Sequence, residues 1–409
     1  MNNSRYANKR IKLRKGEYQR SNNTFAYWWF DKNGKRQFVY AKTLPELREK
    51  EEQIIRDTLD GIDYSKLDST INSYFELWKE IKSGIRETTF TSYVRFYNRY
   101  VEPEFGKRKL KNITYSSVVM FLKNLAVEKG LSFGTIRNIK VVLSMVFDIA
   151  VKDGVLRSNP SNGTLRELQR EFEKNTKDVR ALTLEEQKLF ESFLARPGHY
   201  HQYYAVFTTM LWTGMRVGEV LGLRWEDIDF ENNEIDVNHI LINYDKGKGQ
   251  GNEFAVNPPK TKSSIRTVPM LPKVREALLE EKEKQEQLGI RCLSEVDGYT
   301  NFIFLNSKGN VLDHKKLNNR LTQICKAINR EIQADGNTTV DEFPHVHNHM
   351  LRHTFATRMR EAGADIKATA DIMGHTEVEL TLNTYTDASE DFKRQEIALL
   401  DVLNAKQVI

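Results

Sequence analysis

Residues 206–219 read VFTTMLWTGMRVGE, and this stretch decides what the C-terminal half of the chain must be. The apolar residues from Val206 to Leu211 predict a helix. Gly214 ends it, because glycine takes the positive φ of a helix C-terminus at no steric cost, and Gly218 follows closely. Arg216 therefore stands at a helix junction, where free backbone donors and a guanidinium fork both suit phosphate oxygens. By itself, the pair Arg216 and Glu219 at i and i+3 reads more readily as an ordinary helical ion pair.

Three segments further along also set polar residues among apolar ones. In HMLRHTFAT, 349–357, His349 and Arg352 are three apart and share a helix face, while Leu351 and Phe355 turn to a core. In DIMGH, 371–375, His375 follows the helix-ending Gly374 and projects from a turn. Tyr385 lies in Thr384-Tyr385-Thr386, after the apolar Leu380 and Leu382; in a chain with 16 tyrosines it means nothing alone.

Around these segments the chain is 409 residues long, which at roughly 100–200 residues per domain calls for several cores. With 39% hydrophobic residues it has the material to bury them. No apolar run approaches the length of a membrane-spanning helix, and Met1 to Lys15 is basic with no apolar stretch behind it, so a cytoplasmic protein without a membrane partner is expected. Cys292 and Cys325 are too few and too isolated for a disulfide framework or a thiolate metal cage. The charge is uneven: Met1 to Lys42 carries a net +9, so the rest of a +6 chain is slightly acidic. A basic arm interleaved with aromatics points to phosphate binding.

Three regimes follow one another, and the fold class expected is multidomain and mainly α. TFAYWWFDKNGKRQFVY, 24–40, is two aromatic runs meeting at Asn33-Gly34, a hairpin with a tight turn. Ile11 to Gln19 offers a third strand and Leu44 to Gly61 a helix, with Leu44, Leu47, Ile54, Ile55 and Leu59 on its apolar side. About half of Trp28, Trp29, Phe30 and Tyr40 is expected in that small core. Helices over 71–82, 87–101, 115–129 and 135–153 make the second regime. The third, from Ala181, is mixed α+β and mostly helical, with a strand at Glu234 to Ile242, a Gly-rich loop, and another strand at Arg266 to Pro269.

In order, Arg216, His349-x-x-Arg352, Gly374-His375 and Tyr385, with flanks TGMRVGEVLGLRW, HMLRHTFATRM and IMGHTEVELTLNTYT, resemble the tyrosine recombinase (phage integrase) family. PEFGKRKLKNIT and GLSFGTIRNI look like that family's helical core-binding domain, and the hairpin arm resembles the arm-binding domain of integrases from conjugative transposons. The resemblance implies an arm-binding domain over 1–63, a core-binding domain over 64–164, a charged linker with some helical character over 165–180, a catalytic domain over 181–390, and a tail over 391–409 exchanged between protomers. It implies that Tyr385 attacks the scissile phosphate to give a 3′-phosphotyrosine, with neither ATP nor a metal needed. Arg216 and Arg352 grip the nonbridging oxygens, His349 and His375 donate to the phosphate or move protons, and Glu219 supports them from behind. A lysine protonates the leaving 5′-oxygen: Lys260, or Lys262 two residues on. For the arm, DNA contacts are expected from Arg10, Lys12, Arg14, Arg20, Tyr27, Trp29, Lys35 and Arg36. The partners implied are double-stranded DNA at core-type and arm-type attachment sites, three further copies in a homotetramer, an excisionase and a host DNA-bending protein.

Two other classes fit parts of the pattern. A noncatalytic DNA-binding regulator would keep the basic arm but not fill every box, and a type IB topoisomerase shares the tyrosine chemistry without a separate arm. A zinc site among His345, His347, His349 and His353 lacks a glutamate base and would set Arg352 beside the metal.

Overall fold

The computed structural model describes residues 12–63, 66, 68–82, 84–172, 180–245, 251–258, 264–335 and 340–374. The chain divides into two compact units, 1–176 and 177–409.

In the first unit, β1 (Glu17–Gln19), β2 (Phe25–Phe30) and β3 (Arg36–Ala41) form an antiparallel sheet in that order. The expected hairpin is present, but its loop is longer than a two-residue turn. Phe30 pairs with Arg36, leaving five residues that the Asp31 carboxylate closes by accepting from the Asn33 and Lys35 amides and from the Gln37 side chain. Gly34, at φ +74°, is the one residue of that loop in the left-handed region.

α1 (Leu44–Leu59) starts at Thr43, whose hydroxyl accepts from the Glu46 amide, and buries Leu44, Leu47 and Ile54. Ile55 and Leu59, expected on the apolar side, are exposed. Strand alternation then divides the aromatics. Tyr27 packs against the core under α1 together with Phe25 and Val39, and Trp29, stacked on Tyr27 at 5.9 Å, shares that face. Trp28, Phe30, Phe38 and Tyr40 point the other way. Neither Phe30 nor Tyr40 is buried, and Trp28 and Trp29 are only half-buried, so the small core rests on aliphatic residues.

A larger core follows. α2 (Ile71–Ile81), α3 (Glu87–Phe96), α4 (Tyr115–Val127) and α5 (Phe133–Lys152) surround Trp78, Tyr97, Phe75, Phe105 and Phe147, all fully buried. Thr70 and Thr114 start α2 and α4 with reciprocal caps, each exchanging hydrogen bonds with the serine three residues on. α6 (Thr164–Phe172) closes the bundle and buries Leu168 in the same core. The sheet module is stitched to it where the Asp63 amide donates to the Gly154 carbonyl at 2.8 Å and Arg157 pairs with Asp57 and Asp60.

In the second unit, α7 (Leu184–Ala195), α8 (Tyr204–Thr213) and α9 (Val217–Gly222) precede β4 (Ile228–Asp229) and β5 (Glu234–Val237). β6 (Ile240–Asp245) pairs with β7 (Asn252–Asn257), and β8 (Arg266–Pro269) completes the sheet β4-β5-β8. The single strand expected over 234–242 is thus two, broken at Asn238 and His239, where the buried His239 ring turns to bond the Gly222 carbonyl at 2.7 Å. α10 (Pro272–Leu288) and α12 (Asn348–Glu361) pack on α8, which is buried along nearly its whole length, while α11 (His314–Asp335) packs on α9 and α12, and α13 (Ile366–Met373) on α12 and β8. Among the described residues no helix is long and apolar enough to cross a membrane.

Trp78 is the centre of the helical core, stacked on Phe75 at 5.4 Å and on Phe90 at 5.6 Å. Trp78→Ala is expected to cost about 3–5 kcal/mol in denaturant unfolding of the full chain. A loss below about 1 kcal/mol would mean the core does not depend on that ring.

Candidate active site

The site begins where α8 ends. Gly214 has φ +62°, and a Cβ there would stand 2.3 Å from Phe355 Cδ1 on α12, so only glycine lets the two helices approach this closely. Two residues later Arg216 caps α9: its amide donates to Glu219 Oε2 at 2.9 Å and its Nη1 to Glu219 Oε1 at 2.8 Å. The i, i+3 pair read from the sequence is real, and it aims the guanidinium rather than merely covering a helix surface.

α12 brings the second arginine. Its N-cap is an imidazole: His347 Nδ1 accepts from the Met350 amide at 3.2 Å, which fixes the proton of the neutral ring on Nε2. One turn in, Arg352 is 3% exposed, and it donates from Nη1 to the Gly214 carbonyl at 2.6 Å. His349 stands on the same side of the helix, edge-to-face with His353 at 4.7 Å.

The third part is the end of α13. The last carbonyls of a helix lack intrahelical donors and carry the negative end of its dipole. Here three arginines take three in succession: Arg266 Nε binds the Ile372 carbonyl, Arg352 Nη2 that of Met373 at 2.8 Å, and Arg216 Nη2 that of Gly374 at 3.0 Å. Arg266 also donates to Glu219 Oε2 at 3.0 Å. One buried carboxylate therefore holds two of the three guanidiniums, those of Arg216 and Arg266, and Gly374, at φ +67°, lies so close to the latter that a Cβ would meet Arg266 Nη1 at 2.8 Å.

Three cations against one carboxylate leave the site short of negative charge. Burial works to raise the Glu219 pKa, but Arg266 and then Arg216 outweigh it and hold the group below the usual carboxylate range, so it is ionised at neutral pH. Arg352 is pulled down by burial first and by Arg216 second, an unfavourable state that an arriving anion would relieve. Both Arg216 and Arg352 line a cleft of about 600 Å³, with His347 and His349 beside them and His314, Lys315 and Asn318 of α11 opposite.

His349 is held at a pKa of about 4 by desolvation first, then by His353, Arg352, His347 and Arg216. His349 is nonetheless exposed to solvent, so the Arg352 and Arg216 guanidiniums matter as well as desolvation. The ring is neutral at pH 7. Because the folded pKa lies below the unfolded value, its contribution to stability is complete above about 6.5 and is lost as pH falls toward 4. NMR titration of His349 should give a midpoint near 4, moved upward by sulfate, an oxyanion that favours the imidazolium. A midpoint near the ordinary value of about 6.5 that sulfate leaves unchanged would contradict this electrostatic picture.

Of the residues singled out in the sequence, Arg216, Glu219, His349 and Arg352 come together here. Lys260, Lys262, His375 and Tyr385 lie outside the described residues, as do Arg10 and the tail after 391. Sequence reading missed Arg266, although period two sets it on the same face of β8 as the buried Val268, and a cation pointing inward from a strand is a signal in itself. It also missed the capping role of His347. Among the described residues no three His, Cys, Asp or Glu side chains are grouped to hold a metal ion.

In the arm, Lys12, Arg14, Arg20, Lys35 and Arg36 are exposed. Arg36 lies over Trp28 at 4.5 Å and Arg20 over Tyr40 at 4.8 Å, a cationic and aromatic face on the side away from α1. Tyr27 and Trp29, expected as contacts beside them, are on the opposite face against α1, because alternation along β2 assigns odd positions inward. Arg14 is drawn to Glu51 at 3.4 Å on α1.

Comparison with known proteins agrees with this geometry. Residues 180–391 match the phage integrase family, residues 1–58 the DNA binding domain of Tn916 integrase, and residues 70–126 the phage integrase N-terminal SAM-like domain. The chain is 29% identical to the transposase from transposon Tn1545 of Streptococcus agalactiae and to that from transposon Tn916 of Enterococcus faecalis, over 98% of each chain. A solved structure of the Tn1549 transposon integrase, in complex with transposon right end DNA, covers 81% of this chain and all of that one at 28% identity, with a TM-score of 0.70. The phage integrase match spans more than half of the sequence and contains the whole arginine cluster: the chain belongs to the phage integrase family, as a tyrosine site-specific recombinase of the conjugative-transposon type.

Proposed function

We propose that this recombinase integrates and excises its element by cutting DNA through Tyr385, and that the cleft between α9, α11 and α12 receives the scissile phosphate. What supports this is the pair Arg216 and Arg352: the first is fixed by Glu219 and the Gly374 carbonyl, the second by the Gly214 and Met373 carbonyls, both line one cleft, and together with Arg266 they leave a positive surplus that a phosphate would balance. Tyr385 Oη attacks the phosphorus, and the P–O5′ bond breaks. A 3′-phosphotyrosine keeps the bond energy for rejoining, and no step consumes ATP. Arg216 and Arg352 stabilise the charge that grows on the nonbridging oxygens. His349, neutral at pH 7, can accept the tyrosine proton, while His375 donates to the phosphate. The 5′-oxygen takes its proton from Lys260, with Lys262 as the alternative.

DNA is the partner in the Tn1549 complex, and this reading carries it to the present chain. Its arm-type contacts are assigned to the Trp28, Phe30, Phe38 and Tyr40 face, with Arg20 and Arg36 as the cations. Recombination requires two duplexes and four cleavages, hence a homotetramer on DNA, with the 391–409 tail passing between protomers. An excisionase and a host bending protein complete the partners.

Tyr385→Phe should bind a nicked duplex carrying the core-type site of its own element as the parent does, and form no adduct stable in a denaturing gel. Adduct at the parent's yield would remove Tyr385 from the reaction, and an activity abolished by chelator and restored by zinc would require a metal. For the arm, Arg20→Ala with Arg36→Ala should weaken arm-type binding and lower its log–log salt slope by roughly two units. Tyr27→Phe, on the other face, should leave both unchanged; the reverse ranking would reassign the DNA-facing side of the sheet.

A further inference from the structure

Arg266 has no part in the chemistry above, yet it makes more connections than either arginine of the cleft. Its side chain is buried at 7% exposure. It binds the Ile372 carbonyl at the end of α13, the Ser264 carbonyl two residues before its own strand at 3.2 Å, and Glu219 Oε2 at 3.0 Å, while its guanidinium packs on Gly374. We infer that Arg266 is a positioning residue for both halves of strand cleavage, coupling the stretch of sequence that carries the proton-donating lysine to the arginine that holds the phosphate. This rests on the reading of Lys260 or Lys262 as the donor.

Three observations carry it. First, Glu219 is shared: one oxygen takes Arg216 Nη1, and the other takes the Arg216 amide and Arg266 Nη2. Removing Arg266 strips one of the two guanidiniums that compensate the carboxylate and so loosens Glu219, on which the orientation of Arg216 Nη1 depends. Second, Ser264 is two residues after Lys262 and four after Lys260 in the sequence, so a shift at the Ser264 anchor is passed by the covalent chain toward either lysine. Third, His375 follows the carbonyls that Arg266, Arg352 and Arg216 hold, so Arg266 sets one of three fixed points from which that segment departs.

A role in stability alone explains this less well. A buried ion pair gains little over well-packed apolar residues of the same volume, because two charges must first leave water. Positioning of reactive groups does demand such a pair, since a displacement of 1 Å can cost about 100-fold in rate.

The test uses the full-length protein and two nicked duplexes with the core-type site of its own element, one natural and one with sulfur replacing the bridging 5′-oxygen at the cleavage position. A thiolate leaves without a proton, so sulfur bypasses the donor and nothing else. Arg266→Met and Arg266→Lys are compared with Arg216→Lys, Lys260→Met and Lys262→Met for folding, duplex binding and rate of covalent adduct.

Arg266→Met is expected to fold and bind as the parent does, to lose about 100-fold on the natural duplex, and to recover roughly tenfold of that on the sulfur duplex. Recovery is partial because Arg216 is disturbed as well. Arg266→Lys should restore part of the loss, and Arg216→Lys should lose equally on both duplexes. An adduct rate like the parent's in Arg266→Met, an equal loss on both duplexes, or failure of both Arg266 variants to fold would each overturn the proposal. If sulfur rescues neither lysine variant, the donor assignment fails on its own, and the ratio between duplexes for Arg266→Met still decides the role of Arg266.

Discussion

The three carbonyls that end α13 are each bound by a different arginine, and two of those arginines are bound by one glutamate. Much of the second unit is arranged around that constraint. The arginines come from a helix junction, a strand and a helix that are far apart in sequence, so the cluster exists only once α8, α9, β8, α12 and α13 have packed. Gly214 and Gly374 are where they are because the Phe355 ring at the one and the Arg266 guanidinium at the other occupy the space a side chain would need. The result is rigid by over-determination, as a site must be to act on charge that develops only in a transition state.

The same cluster is electrostatically incomplete. Helix-end dipoles and Glu219 offset part of three positive charges, and the remainder adds to burial in depressing the pKa values of Arg352 and His349. A phosphate in the cleft supplies the missing charge, which gives DNA binding and site order a common cause. The first unit contributes in a different way. Its helical core is apolar and carries no such cluster, while its sheet turns aromatic rings under cations toward solvent, an arrangement suited to a polyanion rather than to a reaction.

Much of this was legible in the sequence because it depends on local rules. Gly214 as a helix stop, Arg216 beside Glu219 at i+3, and His349 with Arg352 on one face follow from helical periodicity and from the conformational freedom of glycine. What escaped was set by distant contacts. Arg266 owes its role to Glu219 and Ile372, 47 and 106 residues away, and no local pattern encodes either. In the arm, an aromatic-rich strand identifies a sheet without saying which face is covered. Tyr27 and Trp29 read from the sequence like their neighbours Trp28 and Phe30, and only the packing of α1 on the sheet shows that Tyr27, with Phe25 and Val39, lies on the covered face. The end of α1 was misread for a similar reason: Ile55 and Leu59 keep helical spacing, but the three-stranded sheet is too small to reach them.

The account stands on a phosphate held by Arg216 and Arg352 and attacked by Tyr385. The most direct measurement is to trap the full-length protein on a nicked duplex from the end of its own element, digest both protein and DNA, and locate the residual nucleotide by tandem mass spectrometry. The account predicts a 3′-linked nucleotide on Tyr385 in the peptide that follows His375. A nucleotide on any other residue, or strand rejoining with no protein-linked nucleotide, would contradict it.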